Sequence, residues 1–306
     1  MFTKYTTLIV PTRNRPSLLR NLLIQLKKKN FNEIIVVDSS DKINKLQINN
    51  ICKFYSVKLY SSHPSTSHQR NFGLRKANKK NKFIMFADDD VFFLKNSFIE
   101  MNKIINQYEN NLDVGGFGFN LIDNNPTNYL NYLKKSWLAQ KLNLYSNKEG
   151  KVTKSGWHTK IVNLKSNKIV DWIYTGAAVY KHNLIKYVRF DNNLGKYSYL
   201  EDLDFCLILK KKFIIAFKAK FIHPNNIERV NLNFGITEIV NRYILVRKHK
   251  LSISCFFLGA FLRFFISILL IFKKNYNFFF RSIGNIIGIL KCILFFILGR
   301  SFSNKY

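Results

Sequence analysis

Between residues 6 and 100, short runs of β-branched and aromatic residues alternate with stretches of helical periodicity, and this alternation restricts the fold more than any other feature. Residues 6–10 read as a strand. Residues 17–28 follow as an amphipathic helix, with Leu18, Leu19, Leu22, Leu23 and Leu26 at helical spacing and Ser17 as the expected cap. Residues 33–37, 57–60 and 82–87 are further strands, the last preceded by a helix from about His68 to Asn78. Strands separated by helices require crossover connections, so an α/β fold with a largely parallel sheet is expected. Ligands bind such sheets beyond the carboxyl ends of the strands. The residues found there are Pro11-Thr12-Arg13, Asp38-Ser39-Ser40 and Asp88-Asp89-Asp90, which should converge on one crevice.

Residues 101–230 are less regular. Residues 97–108 predict a helix and 114–119 a glycine-rich strand with close backbone approach. Residues 143–167 predict a loop or short hairpin, 171–180 a strand or strand pair broken at Gly176, and 201–211 a helix. Residues 213–217 and 221–222 are expected as edge strands. From residue 251 two apolar stretches follow, 251–272 and 278–298, each long enough to cross a bilayer. Each also carries a narrow polar stripe: Gly259, Arg263 and Ser267 on the first, Arg281, Asn285, Gly288 and Lys291 on the second. Such stripes, with basic residues at every junction, suit helices lying in a membrane interface or packed on the catalytic domain better than a spanning hairpin.

Composition enters through charge. The chain has 306 residues with 49 Lys and Arg against 18 Asp and Glu, a formal charge of +31. Charge of this size ordinarily suggests a polyanionic partner. The 37 Lys to 12 Arg, with abundant Asn, Ile, Phe and Tyr, is equally what AT-rich coding produces. The lysines are spread evenly rather than interleaved with aromatics on one face, which disfavours a nucleic-acid-binding protein. The acids say more. Six of the 18 fall in two windows, Asp88 to Asp90 and Glu201, Asp202 and Asp204. Cys52, Cys206, Cys255 and Cys292 lack any metal-site or redox spacing and are expected to be reduced thiols. The apolar stretch in residues 1–10 is too short for a signal peptide, and the bulk of the chain is expected in the cytoplasm.

Three adjacent carboxylates at the end of a buried strand repel one another, and a divalent cation with oxygen ligands is their natural counter-charge. An acidic turn in water is the alternative. Arg70, near a helix start, supplies a guanidinium suited to a diphosphate or merely a surface charge. Asp38 could accept the imide hydrogen of a uracil or cap the next segment. Asp202, at a helix N-terminus, is stabilised there by the helix dipole or acts as a general base. His223 is a metal ligand or a structural histidine at a strand end.

Taken in order, Thr7-Leu-Ile-Val-Pro-Thr-Arg13, Val36-Val-Asp-Ser39, Arg70-Asn71-Phe-Gly73, Phe86-Ala-Asp-Asp-Asp90, Gly176-Ala-Ala and Leu200-Glu-Asp-Leu-Asp204 resemble the family 2 inverting glycosyltransferases of GT-A fold, of the bacterial, non-processive type. The resemblance covers about residues 5–225, with a looser match at Asn241-Arg242-Tyr243 through Lys248. It implies a Rossmann-like, mostly parallel sheet flanked by helices, with C-terminal hydrophobic helices. The catalytic domain would span residues 1–230, with its nucleotide-binding half at 1–100 and its acceptor half at 101–230. Residues 231–306 would form a membrane-associated helical region.

By the same resemblance Asp202 is the base, and Pro11, Thr12, Arg13, Asp38, Arg70, Asp88 and Asp89 hold the nucleotide sugar. Asp90 and His223 hold Mg²⁺ or Mn²⁺, and Gly176 and Glu201 lie on the acceptor side. Gln69 departs from the usual Ala before the Arg-Asn pair, and Lys210-Lys211-Lys212 lacks the Gly that often ends the helix after the base. The Gln-x-x-Arg-Trp signature of processive synthases is absent, so transfer of one sugar is expected. The implied partners are a nucleotide-diphosphate sugar, most readily a UDP-sugar, a glycan or lipid-linked acceptor, and the anionic cytoplasmic face of the plasma membrane, with no nucleic acid. A metal-dependent nucleotidyltransferase is the competing enzyme class, although Pro11-Thr12-Arg13-Asn14-Arg15 lacks the glycine such enzymes favour after the first strand.

Overall fold

The computed structural model describes residues 1–123, 135–195, 198–224, 229–273 and 276–299. They divide into two compact units. The first holds residues 1–123, 161–192 and 198–224, and the second 135–160, 193–195 and 229–299.

The first unit is built on a 9-stranded sheet among the described residues. β1 (Thr6–Thr12), β2 (Glu33–Asp38), β3 (Lys58–Ser61) and β4 (Phe83–Ala87) form its parallel half in the order β3-β2-β1-β4. The connecting helices are α1 (Pro16–Leu26), α2 (Lys42–Phe54) and α3 (Thr66–Lys76). β1 and β4 are buried along their whole length, as central strands covered on both faces must be. Beyond β4 the order continues β8-β6-β9-β5, where β5 is Phe92–Phe93, β6 Val114–Leu121, β8 Ala177–Lys181 and β9 Lys212–Ile222; β7 (Lys168–Val170) pairs with β9. β8 runs antiparallel to β4 and to β6. The α/β class, with helices flanking a Rossmann-like sheet and two apolar helices at the C-terminal end, is as expected.

Two local expectations are corrected. Ser17 does not cap α1; Pro16 occupies the first helical turn and Arg15 stands at the cap without a side-chain bond. Proline there is pre-set for the helix and has no N–H to satisfy. Residues 213–217 and 221–222 are not separate edge strands but parts of β9, held between β6 and β5. Lys218 and Lys220 look like a break, yet they alternate outward while Ala219 and Phe221 point in, which is the period of a strand. The expected helix at 97–108 is present as α4 (Ser97–Tyr108), and that at 201–211 as α7 (Glu201–Leu209), after the short helices α5 (Trp137–Lys141) and α6 (His182–Ile185).

The second unit is organised by α8 (Leu232–Lys248), α9 (Ile253–Lys273) and α10 (Phe278–Ile297). Ile239, Val240, Tyr243 and Val246 of α8 share a core with Phe256 and Ala260 of α9 and Ile289 and Cys292 of α10. α8 and α10 touch backbone to backbone: a Cβ on Gly235 would lie 2.4 Å from the Arg281 carbonyl oxygen, and one on Gly284 2.2 Å from that of Leu232. Only glycine permits that approach. The four cysteines are free thiols.

Candidate active site

The turn after β4 sends its three carboxylates in three directions. Asp88 Oδ1 accepts from Arg70 Nη2 at 2.6 Å, and its Oδ2 accepts from the Tyr174 hydroxyl at 3.1 Å. Asp89 turns back to β1, where the Thr12 hydroxyl donates to it at 2.7 Å and Arg15 Nη1 lies at 3.4 Å. Asp90 meets Arg15 Nη1 at 3.0 Å through one oxygen and His223 Nε2 at 3.1 Å through the other. β9 delivers His223: pairing of Phe92 with Ile222 and Phe93 with Phe221 returns the end of β9 to the segment following the acidic turn. The Tyr174 hydroxyl also lies 3.2 Å from His223 Nε2, with its ring stacked on Phe221 at 6.1 Å.

The ligand atoms of Asp88, Asp90 and His223 thus lie within 4.8 Å of one another. Two carboxylates and an imidazole at this spacing fit a hard or borderline divalent cation. Gly176 makes the arrangement possible. Its carbonyl accepts from the Asp88 N–H at 2.9 Å, and a Cβ there would lie 2.5 Å from Asp88 Oδ2 and 2.3 Å from Tyr174 Cε1.

Arg70 is buried on α3, its guanidinium shared between Asp88 and Glu201. Ser67, one turn earlier on the same helical face, donates to the other Glu201 oxygen at 2.6 Å. Glu201 opens α7 directly after Leu200, whose φ of 74° places a bulky side chain in the left-handed region. Strain of this kind is concentrated at functional turns. Asp202 follows, half-buried, with Oδ1 accepting from the Leu203 N–H at 2.8 Å. Its charge acts on Arg70, Tyr174 and Glu201.

The electrostatics follow from burial and neighbours. Burial pushes the Asp89 carboxyl up to about 6, aided by Asp90 and Asp88 and opposed by Thr12 and Arg15. Burial also works against ionisation of Asp90, but His223 and Arg15 outweigh it and hold that carboxyl below its ordinary range. Burial raises Glu201 despite Arg70 and Ser67. Burial opposes the Arg70 charge, yet Glu201 and Asp88 raise its pKa further still. Tyr174 is raised by burial and by Asp88, so it stays a phenol and a donor.

At the neighbouring strand ends, Pro11 and Thr12 are buried, and Thr12 is in register with Asp38. Asp38 Oδ1 accepts from the Ser40 N–H at 2.9 Å, while its Oδ2 is buried without a hydrogen-bond partner. Gln69 donates to the carbonyls of Thr12 at 2.9 Å and Val37 at 2.7 Å, bracing the ends of β1 and β2. A small residue could not do this. Arg13 is exposed, and the guanidinium that reaches the acidic turn belongs to Arg15. The expected residues Asp88, Asp90, His223, Arg70, Glu201 and Gly176 are therefore joined through direct contacts. Arg15, Ser67 and Tyr174 were not singled out in the sequence; Tyr174 carried one signal, its place two residues before Gly176.

The model for glycosyl transferase family 2 matches residues 7–162, just over half of the chain. No curated protein matches the sequence. Among solved structures, the crystal structure of S. aureus TarS 1-349 aligns with a TM-score of 0.48 and 16% sequence identity, covering 97% of this chain and 92% of that one. The family match takes in β1 through β6 and with them Thr12, Asp38, Arg70 and the acidic turn, and on it this chain belongs to glycosyl transferase family 2.

Proposed function

We propose that this glycosyltransferase moves one sugar, with inversion, from a nucleoside diphosphate sugar to a hydroxyl of a lipid-linked or cell-surface glycan, at the cytoplasmic face of the plasma membrane. The observation that carries the reading is the direct linkage of the Asp88, Asp90 and His223 cluster, through Arg70, to the turn that bears Asp202.

Asp88, Asp90 and His223 would hold Mg²⁺ or Mn²⁺, which when bound offsets charge on the diphosphate leaving group. Asp202 removes the proton of the attacking hydroxyl, and one displacement at the anomeric carbon inverts it. Asp89 does not join the metal ligands; it ties Thr12 and Arg15 to the acidic turn. Glu201, bonded to Arg70 and Ser67, fixes the approach of α7 and so positions its neighbour Asp202. Asp38, with one buried oxygen unpartnered, supports a uracil imide as the base contact and hence a UDP-sugar.

Thermal shift and hydrolysis across a panel of nucleotide sugars with Mn²⁺, comparing wild type with Asp90→Ala, tests this. One donor should stabilise the wild type and release its nucleoside diphosphate, and Asp90→Ala should lose both effects. Metal-independent turnover untouched by Asp90→Ala, or release of pyrophosphate, overturns the reading; pyrophosphate would point to nucleotidyl transfer.

A further inference from the structure

α9 and α10 each contain 20 residues apolar enough to cross a membrane, Ile253–Phe272 and Phe278–Ile297. Their polar stripes, however, turn toward protein. Arg263 and Arg281 both bond Glu238 of α8, and Ser267 donates to Asn285 at 2.8 Å, joining α9 to α10. The opposite faces are apolar and exposed. On α9 this face carries Leu258, Phe261, Phe265, Leu269 and Phe272, spaced three and four residues apart. On α10 it carries Phe280, Leu290, Leu294 and Ile297.

Three observations decide how such a surface can meet lipid. First, α8 runs alongside α10, from Gly235 at Gly284 to Ile239 at Gly288, and carries the buried Glu238 and Arg242. Second, the irregular segment at residues 153–157 packs on the first two turns of α9: the Trp157 ring lies against Gly259 and 6.1 Å from that of Phe256. A spanning hairpin would draw this non-helical backbone in with Gly259, about 9 Å along α9 from its start and below the level of the headgroups. Third, Lys291 is exposed between Leu290 and Leu294, well inside α10. A helix lying flat lets that ammonium snorkel to the headgroups. Arg247 and Lys250, exposed where α8 turns into α9, add the charge that an anionic surface attracts.

We infer that α9 and α10 lie flat within one leaflet of an anionic bilayer, immersing the face built on Phe261, Phe265, Leu269, Leu290 and Leu294, with α8 and residues 153–157 on the aqueous side. The inference rests on the membrane placement proposed above and adds its surface and depth.

The test uses the full chain carrying Cys255→Ser; the remaining thiols, Cys52, Cys206 and Cys292, are buried. Leu258→Cys, Phe265→Cys and Phe272→Cys are labelled one at a time with an environment-sensitive fluorophore. Each is mixed with vesicles of equal parts phosphatidylcholine and phosphatidylglycerol containing spin labels at graded acyl depths. All three positions should be quenched at one shallow depth, and binding should weaken in high salt. A deepest position at 265, with 258 and 272 near opposite surfaces, would mean a spanning helix and overturn the inference. Absence of quenching with concentration-dependent dimerisation would overturn it in favour of a second copy of the chain.

Phe265→Asp combined with Leu294→Asp should weaken vesicle binding by roughly tenfold or more while leaving nucleotide-sugar hydrolysis in solution unchanged. A chain that embeds flat yet turns over no nucleotide sugar upholds this surface and sinks only the donor chemistry.

Discussion

The two units bury charge in opposite proportions. In the first, one guanidinium, Arg70, serves two carboxylates, Asp88 and Glu201; in the second, one carboxylate, Glu238, serves two guanidinia, Arg263 and Arg281. The pKa directions follow the ratio. Glu201 is pushed up because burial outweighs the Arg70 charge and the Ser67 bond, whereas Arg263 and Arg281 overcome burial and hold Glu238 far below the carboxylate range. The surroundings differ as well. Side chains of Asp88 and His223 keep 21% and 24% of their surface open, while Glu238 and Arg263 keep 7% each. A surplus of negative charge left open to solvent awaits a ligand; a closed cluster with its carboxylate doubly bonded is a clamp between helices. Charge in the first unit should therefore matter to chemistry, and charge in the second to stability.

The largest expected effect separates the two directly. Asp202→Asn should lower transfer by about 10²- to 10⁴-fold, the usual worth of a general base. Asp202 is half-buried, and Asn keeps its shape and the oxygen that accepts from the Leu203 N–H, so the unfolding midpoint should barely move. Donor turnover and thermal unfolding measured on the same preparation check this. A stability loss as large as the rate loss would erase the contrast between the units.

Next in size is the converse variant. Glu238→Gln leaves the buried Arg263 and the half-buried Arg281 without their carboxylate and should cost about 3–5 kcal/mol in denaturant unfolding. Replacing Arg263 by Met in the same chain should recover part of it. The sign with pH is fixed by the depressed value: stabilisation by Glu238 is complete above its unfolded value of 4.5 and drains away as pH falls below it. The Gln variant should lack that acid limb. An unchanged acid limb would show that Glu238 is not what the clamp depends on.

What the sequence disclosed follows the same division. The parallel half of the sheet was legible because β1 to β4 are short buried runs separated by helices of clear periodicity, and Asp88 to Asp90 stood out because the chain is poor in acids. Tyr174 stayed hidden because it sits in the irregular segment between β7 and β8, where no period marks which side chains turn inward. β9 was split in reading because Lys218 and Lys220 interrupt its apolar run, although they occupy its outward positions. The polar stripes of α9 and α10 were visible, but their partner was not, since Glu238 lies on a helix whose moderate apolar pattern gives no sign that a carboxylate is buried in it.

The smallest effect tests whether charge alone shapes the open site. Tyr174 is neutral, yet its hydroxyl donates to Asp88 and lies beside His223, and burial keeps it protonated. Groups that orient metal ligands without binding the metal are typically worth 10- to 100-fold in affinity. Arg70 already restrains Asp88 through its other oxygen, so the lower end applies, and Tyr174→Phe should weaken Mn²⁺ binding by about tenfold. Calorimetry with Mn²⁺ alone reads this without any sugar donor. The ring remains stacked on Phe221 in the variant, so a loss of affinity at unchanged stability isolates the hydroxyl. Unaltered Mn²⁺ affinity would mean that the Arg70 ion pair suffices to place Asp88, and that the open site, like the closed clamp, is organised by charged groups only.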